Sequence, residues 1–118
     1  MTGDARAALE RARMRLDSLS LYPTPVRTER VRIVTAPWFF RLPRLQRYQG
    51  YALWRTILLR RPVDFDPGSS DDLICHELCH IWQGQHRPLH MLWTYATTRY
   101  RENPYEAQAR AAVARTRR

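Results

Sequence analysis

The segment DDLICHELCHIWQ, residues 71–83, carries two histidines four positions apart, His76 and His80, with Glu77 directly after the first. If the segment is helical, side chains at positions i and i+4 are neighbours on one face, so both imidazoles can reach the same ion. Zn²⁺ binds imidazole nitrogen at about 2.0–2.1 Å, and catalytic zinc sites use three protein ligands and leave one position for water. The spacing therefore predicts a metal site, although two such histidines can also form a metal-free hydrogen-bonded pair.

Glu77 is suited to catalysis rather than to metal binding, because a residue next to His76 on a helix lies beside the ion instead of on it. Bound Zn²⁺ lowers the pKa of its water to about 7. A neighbouring carboxylate can take the proton of that water and pass it to a leaving amine. We therefore expect zinc-dependent hydrolysis of peptide bonds through a zinc-bound water that Glu77 activates. Three tyrosines are further candidates for stabilising negative charge near the ion: Tyr95, Tyr100 and Tyr105.

A third protein ligand must come from further along the chain. Four residues are candidates: His86, His90, Glu102 and Glu106. We favour Glu106, because it lies in the first turn of a separate helix whose Ala107 and Ala109 permit close packing. With Asn103 as the N-cap, however, Glu106 also occupies the third helical position, where a capping-box glutamate belongs.

The helices and strands that position these residues are predicted from secondary-structure propensity and from capping and turn residues. We predict helices over residues 4–18 and 70–85, a third after Pro88, and a fourth that begins at Pro104 with Asn103 as its N-cap. Ser70 is the predicted N-cap of the motif helix. Alternating and branched residues predict strands over 30–36 and 51–61. The motif helix has an apolar face opposite the histidines, made of Ile74, Leu78, Ile81 and Trp82.

The order of elements, with strands before three helices, predicts an α+β fold in which helices pack on a small antiparallel or mixed sheet. The 118 residues are enough for a single domain, residues 1–118. Leu9, Met14 and Leu16 give the first helix only a thin apolar face, so we expect residues 1–20 to be peripheral. Residues 113–118 are expected to form a frayed basic tail.

The charge of the chain is strongly positive, with 20 basic and 11 acidic residues and a formal net charge of +9. Such a surface attracts nucleic acid or another anionic partner. The segment WFFRLPRLQRYQGY, residues 38–51, interleaves aromatic rings with arginines, as surfaces that bind single-stranded nucleic acid do. We favour the alternative, in which this segment is a hydrophobic loop that packs under the sheet and exposes its arginines.

The two cysteines, Cys75 and Cys79, lie four apart in the predicted motif helix, where the geometry does not suit a disulfide. We expect buried free thiols, which fit a reducing compartment. The N-terminal residues lack the apolar core of a signal peptide, and no apolar run approaches the roughly 20 residues of a transmembrane helix. These features favour a cytoplasmic location.

HELCHIWQ followed by NPYEAQA resembles the gluzincin type of zincin metallopeptidase, and most of all the small bacterial domains with a HELxHxxQ helix and a downstream NPYExxA helix. The resemblance spans residues 31–112. It implies a minimal zincin-like fold with one Zn²⁺ held by His76, His80 and Glu106, and Glu77 as the catalytic glutamate. It also implies a peptide or protein substrate, bound in extended form along an edge strand of the sheet.

This sequence departs from the gluzincin pattern in one respect. Many gluzincins place an acidic residue shortly after the third ligand to orient a histidine, whereas here Gln108, Ala109 and Arg110 follow. HELCH alone is also similar to the SprT-type metalloproteases, some of which act on DNA-bound proteins. A third histidine in that family would make His86 or His90 the ligand, but the NPYExxA segment favours the gluzincins.

An alternative function does not require catalysis. The chain could be a basic binding module with a zincin-like fold that associates with nucleic acid or another anionic partner. This function predicts association that depends steeply on salt.

Overall fold

The computed structural model of the chain describes residues 3–63 and 67–117. Within these ranges the α-helices are α1 (Gly3–Asp17), α2 (Pro67–His86), α3 (Pro88–Thr97) and α4 (Pro104–Thr116). The strands are β1 (Arg32–Thr35), β2 (Gly50–Leu53) and β3 (Thr56–Leu59), and single 3-10 turns span Pro37–Arg41 and Tyr100–Glu102. The predicted α+β class with a small sheet is confirmed.

The sheet is mixed, with the strand order β1-β3-β2. The central strand β3 pairs in parallel with β1 and antiparallel with β2. Because successive side chains of a strand point to opposite faces, Ile57 and Leu59 join the core beneath α2. Leu58 points to the other face and packs with Ala36 and Phe40.

The predicted single strand over residues 51–61 is wrong, since these residues form a hairpin made of β2 and β3. Leu53 pairs with Thr56 across a two-residue turn, Trp54–Arg55. Trp54 has a φ of 60°, in the left-handed region that hairpin turns of this length usually fill with glycine or asparagine. The turn has neither residue, so the sequence carried no turn signal.

Helix α2 is the centre of the fold and packs against α1, α4 and β2. Its predicted apolar face is confirmed, because four side chains are buried: Ile74, Leu78, Ile81 and Trp82. The helix begins at Pro67, three residues before the predicted start, so Ser70 lies inside the helix instead of capping it. The guanidinium of Arg11 in α1 donates two 2.9 Å hydrogen bonds to the carboxylate of Asp71, which fixes α1 against the start of α2.

Helix α1 belongs to the core, contrary to the prediction of a peripheral helix. Three alanines complete its buried face together with two leucines: Ala5, Ala8, Ala12, Leu9 and Leu16. Met14, which was assigned to the apolar face, is 61% exposed. Alanine adds little apolar area by itself, but it allows α1 to lie close against α2.

The predicted frayed tail over residues 113–118 is also incorrect in its bounds, because α4 continues to Thr116. Val113 is buried, and Arg15 of α1 donates hydrogen bonds to its carbonyl at 3.1 Å and to the hydroxyl of Thr116 at 2.9 Å. Arg117 pairs with Asp72 of α2 at 2.9 Å. Residue 118 lies outside the described residues.

The aromatic and basic segment over residues 38–51 packs against the outer face of the sheet. Phe40 is buried against Leu58, and Phe39, Tyr48 and Tyr51 are partly buried around it. Three arginines of the segment remain exposed: Arg41, Arg44 and Arg47. This is the packed-loop arrangement that we favoured, with Trp38 as its exposed end.

The two cysteines are free and fully buried, as predicted. Burial raises the pKa of both thiols, that of Cys79 to about 12. In the described part of the chain, no helix combines the length and the apolar character needed to cross a membrane.

Candidate metal centre

His76, His80 and Glu106 converge on one point between α2 and α4. The Nε2 atoms of His76 and His80 lie 3.2 Å apart. One carboxylate oxygen of Glu106, Oε1, is 2.8 Å from Nε2 of His80, and the other, Oε2, is 3.2 Å from Nε2 of His76. Among the described residues, these three form the group of metal-ligating side chains that could hold an ion.

Helix α4 directs Glu106 toward the histidines because its first turn is capped by another residue. The Asn103 side chain accepts a 2.9 Å hydrogen bond from the backbone N–H of Tyr105, and Pro104 occupies the first helical position, as predicted. The carboxylate of Glu106 is only 3% exposed and contacts the two imidazoles. Within the NPYE sequence, Asn103 therefore caps the helix, and the carboxylate of Glu106 remains available to contact the histidines.

The separations of these atoms suit a zinc ion. Ligands at about 2.0–2.1 Å in a tetrahedral arrangement lie about 3.3 Å from one another, close to the observed 2.8–3.2 Å. Oε2 of Glu106 is buried and makes no hydrogen bond, which is rare for a buried acceptor. Two imidazoles and one carboxylate are also a donor set that Zn²⁺ uses in catalytic sites.

Strong electrostatic coupling joins the cluster. Burial disfavours the ionised form of Glu106, but the adjacent imidazoles of His76 and His80 outweigh burial and hold the pKa of its carboxyl well below the ordinary value. Burial likewise disfavours the charged form of His80, yet the hydrogen bond and charge of Glu106 raise the pKa of this imidazole above its ordinary value. A divalent cation bound among these atoms would take the place of the imidazole protons that face the carboxylate of Glu106.

Glu77 lies beside the cluster and does not enter it. Its Oε1 atom is 3.9 Å from Nε2 of His76, and the backbone N–H of Ala52 on β2 faces its carboxylate. Burial raises the pKa of Glu77, and the nearby His80 and His76 reduce this effect without cancelling it. A carboxyl group with a raised pKa beside three potential metal ligands is suited to accept and release a proton.

Two of the three tyrosines considered in the sequence lie at the cluster. The hydroxyl of Tyr95 in α3 donates a 3.0 Å hydrogen bond to Oε1 of Glu106. Burial and the charge of Glu106 raise the pKa of Tyr95 and of Tyr100, so both phenols stay protonated and can donate. The hydroxyl of Tyr105 instead forms a hydrogen bond with Nδ1 of His90 in α3.

The other candidate ligands are held elsewhere. His86 stacks on the ring of Tyr22 at a centroid distance of 4.8 Å, and its Nε2 atom lies 2.9 Å from the hydroxyl of Thr24. His90 contacts Tyr105. Glu102 is exposed in the 3-10 turn before α4. The structure therefore brings together Glu106 with the two motif histidines and leaves the remaining three outside.

Gln83 is a site residue to which the sequence analysis gave no role. Its side chain is fully buried, and its Oε1 atom lies 2.8 Å from Nδ1 of His80. A signal was present, because Gln83 lies three positions after His80 and therefore on the same helical face. Its other partners come from α4 and could not be read from local spacing.

The chain matches no family model, no curated protein and no solved structure.

Proposed function

We propose that the protein is a zinc-dependent metallopeptidase in which His76, His80 and Glu106 hold one zinc ion. The observation that carries this proposal is the convergence of three ligand atoms from two helices, with the carboxylate of Glu77 directly beside them. The resemblance of the sequence motifs to the gluzincins implies the same three ligands and the same glutamate.

Each residue at the site has a separate proposed role in peptide hydrolysis. Zinc, when bound, would polarise a substrate carbonyl and lower the pKa of water at the site. Glu77 would accept a proton and transfer it to the leaving amine, a role that its raised pKa supports. Tyr100 is 40% exposed and keeps its proton, so it can donate a hydrogen bond to negative charge that develops on the substrate.

The edge strand β2 is the proposed site for an extended peptide substrate. Arg60 donates its N–H to the carbonyl of Gln49, and hydrogen-bonded and non-hydrogen-bonded pairs alternate along an antiparallel ladder. Ala52 therefore directs its backbone groups away from β3, toward Glu77. A peptide that adds to this edge would place its backbone beside the proposed proton-transfer group.

Two measurements test the proposal. Elemental analysis of the purified protein should give about one zinc per chain, and the zinc should be lost in His80→Ala but kept in His86→Ala, a matched change outside the cluster. Glu77→Gln should keep the zinc and lose cleavage of a peptide library, while Glu102→Gln, a matched change at an exposed glutamate, should retain both. A well-folded parent that takes up no zinc after reconstitution, or a Glu77→Gln variant with full activity, contradicts the proposal.

A second candidate function is a basic binding module for nucleic acid or another anionic partner. The exposed arginines Arg41, Arg44 and Arg47 near the exposed ring of Trp38 favour it. Association with single-stranded DNA should weaken steeply with salt and should be unchanged in Glu77→Gln. Absence of binding at low salt would exclude this candidate.

We further propose a cytoplasmic location for the protein. Two free thiols, Cys75 and Cys79, support a reducing compartment. Localisation of a tagged chain by cell fractionation tests this proposal, and recovery from an oxidising compartment would contradict it.

A further inference from the structure

The side chain of Gln83 connects the proposed metal centre to the interior of the protein. It is fully buried on α2, one turn after His80. Its Oε1 atom lies 2.8 Å from Nδ1 of His80, and its Nε2 atom lies 3.0 Å from the carbonyl of Tyr105 and 2.8 Å from Oε1 of Gln108. Every hydrogen-bonding atom of this carboxamide therefore has a partner on α2 or α4.

The partners of Gln83 fix which way its amide faces. A backbone carbonyl can only accept, so the atom next to the carbonyl of Tyr105 must be the amide nitrogen. The amide oxygen then faces His80, and because an amide oxygen can only accept, Nδ1 of His80 must carry a proton. Nε2 of His80 is thereby the ring nitrogen available to a metal, and it is also the atom that lies 2.8 Å from Glu106.

A second contact keeps the amide from turning over. Oε1 of Gln108 also accepts a 3.0 Å hydrogen bond from the hydroxyl of Tyr22, so the amide of Gln108 is oriented as well. A rotated Gln83 would place its oxygen against both the carbonyl of Tyr105 and Oε1 of Gln108. Both contacts would be repulsive in a buried site, where unsatisfied polar groups cost about 1–3 kcal/mol each.

We propose that Gln83 is a positioning residue for the metal centre, which holds the His80 ring in one orientation and in the tautomer that presents Nε2 to the ion. This inference rests on the proposed function. Metal-bound histidines commonly donate their other N–H to a carboxylate, a carbonyl or water. Here a neutral carboxamide from the motif helix itself occupies that place, and no acidic residue follows Glu106 to do so.

The test compares three variants with the parent. Gln83→Met keeps a similar volume and removes the acceptor 2.8 Å from Nδ1 of His80, which leaves only the more distant hydroxyl of Tyr95, at 3.4 Å, near that nitrogen. Gln83→Glu keeps an oxygen at that position and, when its carboxyl is protonated, a donor toward the carbonyl of Tyr105. Gln85→Met is the matched control, because Gln85 lies on the same helix and also makes two hydrogen bonds, to the backbone N–H and the carbonyl of Arg27. Zinc affinity is measured by competition with a chromophoric chelator, and folding of each metal-free variant is checked by circular dichroism.

Gln83→Met should bind zinc about 10–100-fold more weakly than the parent, the range found when such orienting partners are removed. Its cobalt-substituted form should show an altered visible spectrum, because the His80 ring is no longer held. Gln85→Met should bind like the parent. Gln83→Glu should bind about as tightly as the parent at a pH where its buried carboxyl keeps a proton, because one oxygen then remains on Nδ1 of His80 and the other donates to the carbonyl of Tyr105.

Two results would overturn the inference while leaving the proposed function intact. One is a folded Gln83→Met variant with parental zinc affinity and an unchanged cobalt spectrum. The other result decides the matter if Gln83→Met does not fold. It is a folded Gln83→Glu variant that binds zinc about 10-fold or more weakly than the parent. A parent that binds no zinc removes the proposed function and this inference together.

Discussion

The backbone N–H of Ala52 on the edge strand β2 faces the carboxylate of Glu77 on α2. This contact connects the sheet edge, where an extended peptide can add, to the residue proposed to transfer protons. The distance between β2 and α2 is set nearby, where Gly50 of β2 lies against the side chain of Leu73 of α2. The position of Glu77 relative to a substrate therefore depends on how closely the strand approaches the helix.

Gly50→Ala should disturb this approach. A Cβ atom at position 50 would lie 3.0–3.2 Å from three atoms of the Leu73 side chain, closer than carbon atoms normally pack. We expect a loss of about 1–3 kcal/mol in the free energy of unfolding, as for other overpacked cores, and a larger fall in peptidase activity than in zinc content. Denaturant melts and zinc analysis measure both effects. Gly3→Ala, which has open space around it, is the control, and an unchanged Gly50→Ala variant would contradict the argument.

The stability of the metal-free protein should depend on pH with a maximum between about 4.5 and 6.5, the ordinary pKa values of a glutamate and a histidine. The folded-state pKa of Glu106 is lowered, so its contribution is present above 4.5 and is lost as pH falls. The folded-state pKa values of Glu77 and His80 are raised, so the contribution of Glu77 is lost as pH rises above 4.5 and that of His80 as pH rises above 6.5, which moves the maximum toward the acidic end of this window. Denaturation midpoints measured in the presence of a chelator test this dependence.

Zinc affinity should change with pH in the opposite direction. Metal binding requires deprotonated ligands, and the raised pKa of His80 means that a proton competes with zinc at this imidazole up to higher pH than usual. Affinity should therefore rise between pH 5.5 and 8, while the metal-free protein becomes less stable. A metal-free midpoint that increases across the same range would contradict the assigned pKa directions.

Local sequence signals predicted those parts of the site that depend on neighbours along the chain. The fourth helix and its cap followed from Asn103 and Pro104, because capping is decided within one turn. The face shared by His76 and His80 followed from helical spacing. The position of Glu106 against these histidines needed the packing of α4 on α2, which spacing alone does not give, and the sequence left its ligand and capping roles open.

The failures of the sequence analysis have identifiable physical causes. The β2–β3 hairpin was read as one strand because Trp54 occupies a left-handed position that usually carries glycine. The burial of α1 was underestimated because its face depends on small residues such as Ala8 and Ala12, which mark close helix packing and not hydrophobic area. The contacts of Gln83 with Tyr105 and Gln108 exist only once two helices have packed.

The two cysteines offer a probe of α2 in the native state. Cys75 and Cys79 are fully buried, and the raised pKa of each thiol keeps it protonated at neutral pH. Because the thiolate is the reactive form, we expect an aromatic disulfide reagent to label the native protein only as fast as α2 opens, and to label both thiols at once in denaturant. Stopped-flow absorbance measures the two rates. Rapid labelling under native conditions would show that one or both thiols are accessible.

Gly84→Ala should stabilise the protein, in contrast to the same change at Gly50. Gly84 lies within α2 and has no positive φ, and a Cβ atom there would meet only Sδ of Met91 at 3.9 Å, an ordinary contact distance. Alanine in a helix is favoured over glycine by about 0.5–1 kcal/mol, because it loses less backbone freedom on folding. The denaturation midpoint should therefore rise while zinc content and peptidase activity stay at the parental level. A lower midpoint would mean that α3 packs against α2 at Gly84 more closely than the Met91 contact indicates.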